Sequence, residues 1–396
     1  MSQNDRDSLL YTIENYHLTL HQIFIDSSFT ITKKLPQYEY FEVHLDKINY
    51  DLPDYILNIN GVELNTNDSV LHIDSVQVIP RYSKHDFAYK TKKPGRVDCT
   101  WNDISLMGFD FDGIAFYKRC KADTMTLNGF TVYSYKNKNV PPTPEVKPLF
   151  QHILQTLPIS VDIPFVKFEN GNVFHEELAE HRIHAGKIMF AHIQGHIDGL
   201  TNIVKTKNQY LKVTADGSIM KTAKMNVVFS LPVDPKNEIF TLTGHVRRLQ
   251  FAEFNEMLEP AAHLSIESGK SDRIDFSLIG NEKTATVNML LLYEDLEVAV
   301  LTPDNKRKRW LLSELANDLI LIRDNPHGKQ AQRQVKSSAD RNIYLYQFNF
   351  LWITMLEGIK ESVGFTEKKQ KTIHNLIHKK DDSHQNNPKP KNKTRK

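Results

Sequence analysis

Two cysteines, three tryptophans and a net charge of only +2 in 396 residues leave several protein classes without support. Cys99 and Cys120 are too few for a disulfide-stapled scaffold or a four-cysteine zinc site. They could pair in an oxidising compartment, but nothing in the sequence brings their Cα atoms within bonding reach. Fifty basic residues against 48 acidic ones nearly cancel, so no whole-molecule field marks a nucleic-acid binder. The local basic runs, Lys306-Arg307-Lys308-Arg309 and the tail after Glu367, fit a solvated surface, with anionic lipid headgroups or another acidic partner as the alternative. Met1 to Ser8 carry no basic-then-apolar leader, and no stretch reaches the roughly 18 apolar residues of a membrane helix. Read literally, such a chain stays where it is made. The glycines are scattered and form no phosphate-binding loop, so they read as bulges or bends in strands.

What the chain does have is alternation. From Ala185 to Val300 it reads as strand after strand with an apolar residue at every second position. Met225, Val227, Phe229 and Leu231 share one face, with Asn226 and Ser230 on the other. Ile274, Phe276 and Leu278 alternate with Asp275 and Ser277; Ala285, Val287, Met289, Leu291 and Tyr293 alternate with Thr284, Thr286 and Asn288. A period of two sustained this long means antiparallel sheet with one apolar and one wet face. Between Phe190 and Ile193 the apolar positions switch from even to odd numbers, as one bulge requires.

The N-terminal third is strand-like but more broken, with strands predicted around Tyr16 to Leu20, Val70 to Ile79, Ile104 to Phe116 and Met125 to Tyr135. Turn-formers such as Asn60-Gly61 and Pro94-Gly95 separate them. Val140-Pro141-Pro142-Thr143-Pro144 is the best internal boundary. Leu149, Phe150, Ile153, Leu154 and Leu157 then recur at helical spacing, ended by Pro158. A second short helix is expected over Phe251 to Leu258, stopped by Pro260, and a third over Trp310 to Ala316, followed by a strand from Asp318 to Arg323. The resulting division is 1–140, an N-terminal β region; 141–158, hinge and short helix; 159–330, a second β region; 331–366, a linker and C-terminal helix; and 367–396, a disordered basic tail.

From Ile343 to Val363, Leu345, Phe348, Trp352, Leu356, Ile359 and Val363 form a helical stripe widened by further aromatics. Such a helix must be buried on most sides or lie against lipid. Gln347, Asn349 and Glu357 interrupt it too often for a membrane span, so it is expected to cap the end of the sheet with Trp352 as a buried anchor.

Site chemistry is sparse. His192 and His196, four apart on a strand, lie about 13 Å apart along the backbone and chelate a metal only with help from other strands. Phe109-Asp110-Phe111-Asp112-Gly113 lacks the ligand series of a calcium loop and reads as a strand ending in a turn. His72 and Asp74 share a face, but no activated serine or cysteine context accompanies them. The expectation is a non-enzymatic chain without metal or cofactor.

The runs His184-Ala185-Gly186-Lys187-Ile188-Met189-Phe190 and Gly195-His196-Ile197-Asp198-Gly199-Leu200-Thr201, with Leu242-Thr243-Gly244, Phe254-Asn255-Glu256-Met257-Leu258-Glu259-Pro260, Ile266-Glu267-Ser268-Gly269, Leu291-Leu292-Tyr293-Glu294-Asp295-Leu296 and Gly358-Ile359-Lys360-Glu361-Ser362-Val363-Gly364, resemble the C-terminal part of AsmA-like proteins, relatives of TamB, of Bacteroidetes type. The resemblance covers roughly 159–365 and rests on order and spacing, since each motif is a strand, a turn or a cap. It implies an elongated, curved antiparallel sheet folded lengthwise into a trough (a β-taco) whose apolar face lines an open groove. It also implies a periplasmic location at the inner membrane and a part in phospholipid movement and outer-membrane biogenesis. Family members begin with a membrane anchor, which this sequence does not show; either its anchoring differs from theirs or Met1 is not the native start.

Alternation alone favours a closed sandwich or barrel with two apolar faces packed on each other; the resemblance favours the open groove. On that reading Met225, Val227, Phe229, Ile274, Phe276, Leu278, Val287, Met289 and Leu291 line it and phospholipid or another acyl lipid occupies it, with a membrane surface and other envelope proteins as further partners. The alternative is an interaction scaffold for outer-membrane protein assembly, using sheet edges or the C-terminal helix.

Overall fold

The structure, a computed structural model, describes residues 10–22, 39–301 and 321–365. Among them fifteen strands form one open, mostly antiparallel sheet. They are β1 (Leu10–His21), β2 (Tyr40–Asp51), β3 (Tyr55–Asn65), β4 (Val70–Pro80), β5 (Gly95–Met107), β6 (Arg119–Lys121), β7 (Thr124–Asn137), β8 (Ser160–Leu178), β9 (Gly186–Thr201), β10 (Tyr210–Ile219), β11 (Ala223–Pro232), β12 (Phe240–Gln250), β13 (Leu264–Gly280), β14 (Thr284–Val300) and β15 (Gln334–Asp340). Their order in the sheet is their order in the chain, except that the short β6 lies off the path and pairs with β8. The sheet is not closed: β1 and β15 are its two ends.

The proline-rich segment does not divide this sheet. β7 and β8 pair directly and in parallel, from Thr124 opposite Phe165 to Asn137 opposite Leu178. A parallel pair needs a crossover connection, and the chain between β7 and β8 supplies it. Prolines 141, 142 and 144 therefore sit where no ladder bond is required of them.

The strands bend along a common line. Asn15 in β1, Gly61 in β3, Asp103 in β5, Gly129 in β7, Asn170 in β8 and His192 in β9 all have left-handed backbone, with φ between 46° and 109°. One such residue in a strand acts as a bulge, kinking it and shifting the side-chain parity by one. Apolar neighbours across the bend are accordingly three apart: Ile13 and Tyr16, Ile59 and Val62, Trp101 and Ile104, Leu127 and Phe130, Phe190 and Ile193. Asn and Asp tolerate this conformation because their short polar side chains bond locally. Here they bond across strands: Asn15 donates to Asp46 at 2.8 Å, Asn128 to Asp103 at 3.1 Å and Asn170 to Asn128 at 2.6 Å.

Among the described residues five helices accompany the sheet: α1 (Phe87–Thr91), α2 (Phe111–Tyr117), α3 (Phe150–Gln155), α4 (Asn255–Ala262, preceded by a 3-10 turn over Phe251–Phe254) and α5 (Gln347–Ser362). The expected strand over Ile104 to Phe116 ends instead at Met107, and Phe111 opens α2, where Asp110 caps the helix by accepting from the Gly113 N–H at 2.8 Å. Pro260 does not stop α4, which runs on to Ala262. It stands in the last turn, so only one intrahelical bond is lost. The expected helix over 310–316 lies outside the described residues; 321–323 are described and are not strand.

The C-terminal helix corrects a larger expectation. Its buried face is Gln347, Phe350, Leu351, Thr354, Gly358 and Ser362. Leu345 lies before the helix and Leu356 is half-buried, while Phe348 and Trp352 are 71% and 38% exposed. The reason is close approach. α5 lies so near the sheet that a Cβ on Gly358 would stand 2.9 Å from Val287 Cγ1 and 3.1 Å from Met289 Cε, and bulky side chains are turned outward. Thr354 and Ser362 hydroxyls on this face donate to the carbonyls four residues back, and Gln347 Oε1 accepts from Phe150 N of α3 at 2.7 Å, while the buried Gln347 Nε2 has no partner.

Two expectations follow for urea unfolding. Gly61→Ala should lose about 1–3 kcal/mol, because its φ of +60° is strained for alanine and the new Cβ would overlap the Asp74 carboxylate, whereas Gly95→Ala, with nothing within 4 Å of its Cβ position, should be close to neutral. Gly358→Leu should lose about 1–3 kcal/mol by overpacking against Val287 and Met289, and Trp352→Ala less than about 1 kcal/mol. A Trp352→Ala loss of several kcal/mol would restore the buried-anchor reading.

Candidate functional site: the apolar face of the sheet

The register aligns the apolar residues into rows that cross the whole sheet. Leu18, Val43, Leu64, Leu71, Leu106, Met125, Val166, Ile197, Val213, Phe229, Leu242, Leu278 and Val287 are each paired with the next, one per strand from β1 to β14 with β6 left out. Thirteen strands at about 4.8 Å per strand give a row of about 58 Å measured along the sheet. A second row beside it runs through Tyr16, Leu45, Val62, Ile73, Ile104, Leu127 and Phe168, on to Val227, Phe276, Met289 and Val335. Where this row reaches Gly195 and Gly244, the paired rings of Phe168 and Phe276 lie over the glycines, so the surface stays apolar.

Coverage of this face changes from one end to the other. At the β1 end Tyr16 is 76% and Leu18 53% exposed. Through β3 to β7, Val62, Ile73, Leu127 and Phe130 are half-buried, with α2 packing Phe111 and Ile114 over one margin. At the β14 end Leu278, Val287, Met289 and Leu291 are fully buried in a cluster shared with Leu149, Phe350 and Leu351.

The nine residues singled out from the sequence do share the apolar face. Met225, Val227 and Phe229 are half-buried and pack against that cluster, and Ile274 and Phe276 are buried in it. They do not, however, line an open surface. α3, α4 and α5 close over this part of the sheet, and the least covered stretch lies among β1 to β7, where sequence reading named no site residue. The signal was present in the apolar pairs spaced by three, which mark the same bend on strand after strand. A cleft of about 160 Å³ remains between α3 and the sheet, walled by Phe150, Leu154, Leu200, Leu211 and Val233, with the side-chain amide of Gln151 unbonded at its edge.

The other candidates fall on the polar face or stay apart. His72 Nδ1 lies 2.9 Å from Ser105 Oγ and its Nε2 3.3 Å from Asp74 Oδ1. That is the connectivity of a nucleophile relay, but it lies on the wet face, where the paired strands engage the neighbouring backbone N–H groups in the ladder. Its evident part is in the polar network beside the bend. His192 occupies the left-handed position in β9, and His196 stacks on Phe165 at 5.7 Å and faces Asp198 at 3.4 Å. Among the described residues no group of three or more His, Cys, Asp or Glu side chains is arranged to hold a metal ion. No helix among them is long and apolar enough to cross a membrane. Cys99 and Cys120 are both free thiols.

No family model matches the chain, and no curated protein matches it.

Burial, with a smaller contribution from the Asp98 carboxylate, pushes the Cys99 thiol up to about 11. A raised thiol pKa removes thiolate, the reacting form, leaving about a thousandth of it at pH 8. Iodoacetamide at pH 8 should therefore modify Cys99 about a hundredfold more slowly than a free cysteine peptide. Labelling at the rate of the peptide would show that this part of the sheet opens readily.

Proposed function

We propose that this chain is a non-enzymatic envelope protein of the AsmA-like kind, which binds phospholipid or another acyl lipid on the apolar face of its sheet and conducts it along that face. The reading places it in the periplasm, associated with the inner membrane and serving outer-membrane biogenesis. The observation that carries it is the unbroken apolar row across thirteen strands, left partly bare toward β1. An exposed apolar surface of this extent is unusual for a monomer and calls for an occupant. Each acyl methylene removed from water contributes about 0.8 kcal/mol. That attraction has no preferred direction and no polar contact to break, so a chain can slide from strand to strand at nearly constant free energy.

On this reading the path has two unlike ends among the described residues. β1 is the bare end, suited to exchange with a membrane or a partner, and α5 is the stop at the other.

The alternative, a scaffold for outer-membrane protein assembly, is favoured by one feature: β1 has a neighbour on one side only among the described strands and exposes Tyr11, Tyr16 and Leu18. An extended segment of another protein could add to such an edge.

Native mass spectrometry of the chain after incubation with phospholipid vesicles separates the two. Bound phospholipid is expected, and its capture should fall at least tenfold in the Ile73→Asp/Leu127→Asp variant, because a carboxylate in an apolar contact is costly to desolvate. Circular dichroism should show its β content unchanged. Undiminished capture by the folded double variant overturns the groove reading; a lipid-free mass in the wild type favours the scaffold.

A further inference from the structure

At one end of β7 the face that carries the lipid path turns from apolar to charged. Residues two apart on a strand share a face, so Phe130 and Val132 are followed on the same side by Ser134 and then Lys136. The neighbouring strand repeats the change, with Val173 beside Val132, His175 beside Ser134 and Glu177 beside Lys136. His175 Nδ1 lies 3.2 Å from Ser134 Oγ, and burial lowers the pKa of the ring.

Lys136 opens into a cleft of about 490 Å³ formed where the proline-rich crossover passes over the strand ends; Lys138, Pro141, Pro142, His181 and Leu345 also line it. The acidic groups of the region leave the Lys136 ammonium without a close partner. Glu177, directly opposite, is engaged by Lys138, whose Nζ stands 2.6 Å from its Oε1. Glu180 also lines the cleft, but no ion pair within 4 Å joins it to Lys136. Beside Lys136 on β5 is Gly95, above whose Cα there is open space. Lys136 is thus a cation partly stripped of water, which lowers its pKa against the weaker opposing pull of the Glu177 carboxylate, in a cleft with room beside it.

We propose that this cleft is an anion site for a phosphate group, with Lys136 as its principal cation and Lys138 and His181 at its margin. Resting on the lipid reading above, it gives that reading a headgroup subsite. The phosphate of an anionic phospholipid lies against Lys136, and its acyl chains run down β7 over Val132 and Phe130, about 13–20 Å along the strand from the charge. An anionic oxygen supplies the partner that the desolvated ammonium lacks, by a charge-assisted hydrogen bond. The site therefore selects among lipids by charge, which the apolar face cannot do.

The test uses the full chain with three probes: phosphatidylglycerol, diacylglycerol with the same acyl chains, and inorganic phosphate. Lipid uptake is read by native mass spectrometry and phosphate binding by calorimetry. The wild type should take up phosphatidylglycerol over diacylglycerol by about tenfold. Lys136→Met should bring the two lipids to near parity with diacylglycerol uptake unchanged, and Lys136→Arg should keep the preference. Parity in the wild type, or an unchanged preference in Lys136→Met, overturns the headgroup site and leaves the groove reading standing. Uptake of neither lipid overturns the groove reading. In that case Lys136-dependent binding of inorganic phosphate retains the anion site and assigns it to free phosphate, and no phosphate binding overturns the site as well.

Discussion

Cross-strand pairing of apolar residues along a single face is the constraint on which the rest of the structure depends. A strand turns successive side chains to opposite faces, so a sheet of fifteen strands keeps an apolar side only if every register agrees. A kinked strand would normally break that agreement, since one inserted residue inverts the pattern beyond it. Here the insertions fall opposite one another, at Asn15 and Asp46, at Gly61 and Asp74, and at Gly129 and Asn170, so the inversion is shared and the face survives the bend. Polar side chains bonded across neighbouring strands hold this line on the wet side, while the apolar rows continue on both sides of it.

The same face is treated in opposite ways at its two ends. Near β14 the chain covers it with its own helices, and α5 comes close by presenting Gly358, Thr354 and Ser362 rather than its large residues. Near β1 the apolar residues remain exposed among the described residues. A closed sandwich would have met the need for burial uniformly. The open sheet leaves that need unequally met, and this inequality makes the lipid reading more economical than a purely architectural one.

Much of the fold was legible because its period is two: β11, β13 and β14 fall where Met225 to Leu231, Ile274 to Leu278 and Ala285 to Tyr293 put them. The single bend read from the sequence, between Phe190 and Ile193, is the one centred on His192. Its counterparts were missed because Asn, Asp and Gly in a strand look like turn-formers, and the N-terminal third therefore seemed broken. The side of α5 that meets the sheet was illegible for a different reason. Hydrophobicity marks Phe348 and Trp352 as the buried stripe, but approach distance decides, and only the partner surface at Val287 and Met289 reveals that small residues were needed. The Lys136 cleft could not be read at all, since it brings Pro94, Glu180, His181, Asn342 and Leu345, all distant in sequence, against the crossover that leaves β7.

Strands adjacent in sequence are adjacent in space almost throughout, so nearly all of the sheet's pairing is between consecutive strands. A structure of this kind resembles a one-dimensional array, in which each hairpin adds to the last and order can spread from any point at little loop-closure cost. The one step that breaks the rule is the parallel junction of β7 with β8, whose connection must be traversed before pairing begins. That junction divides the molecule into two zippers, joined in the sheet by the β7–β8 ladder and the short β6–β8 pairing beside it.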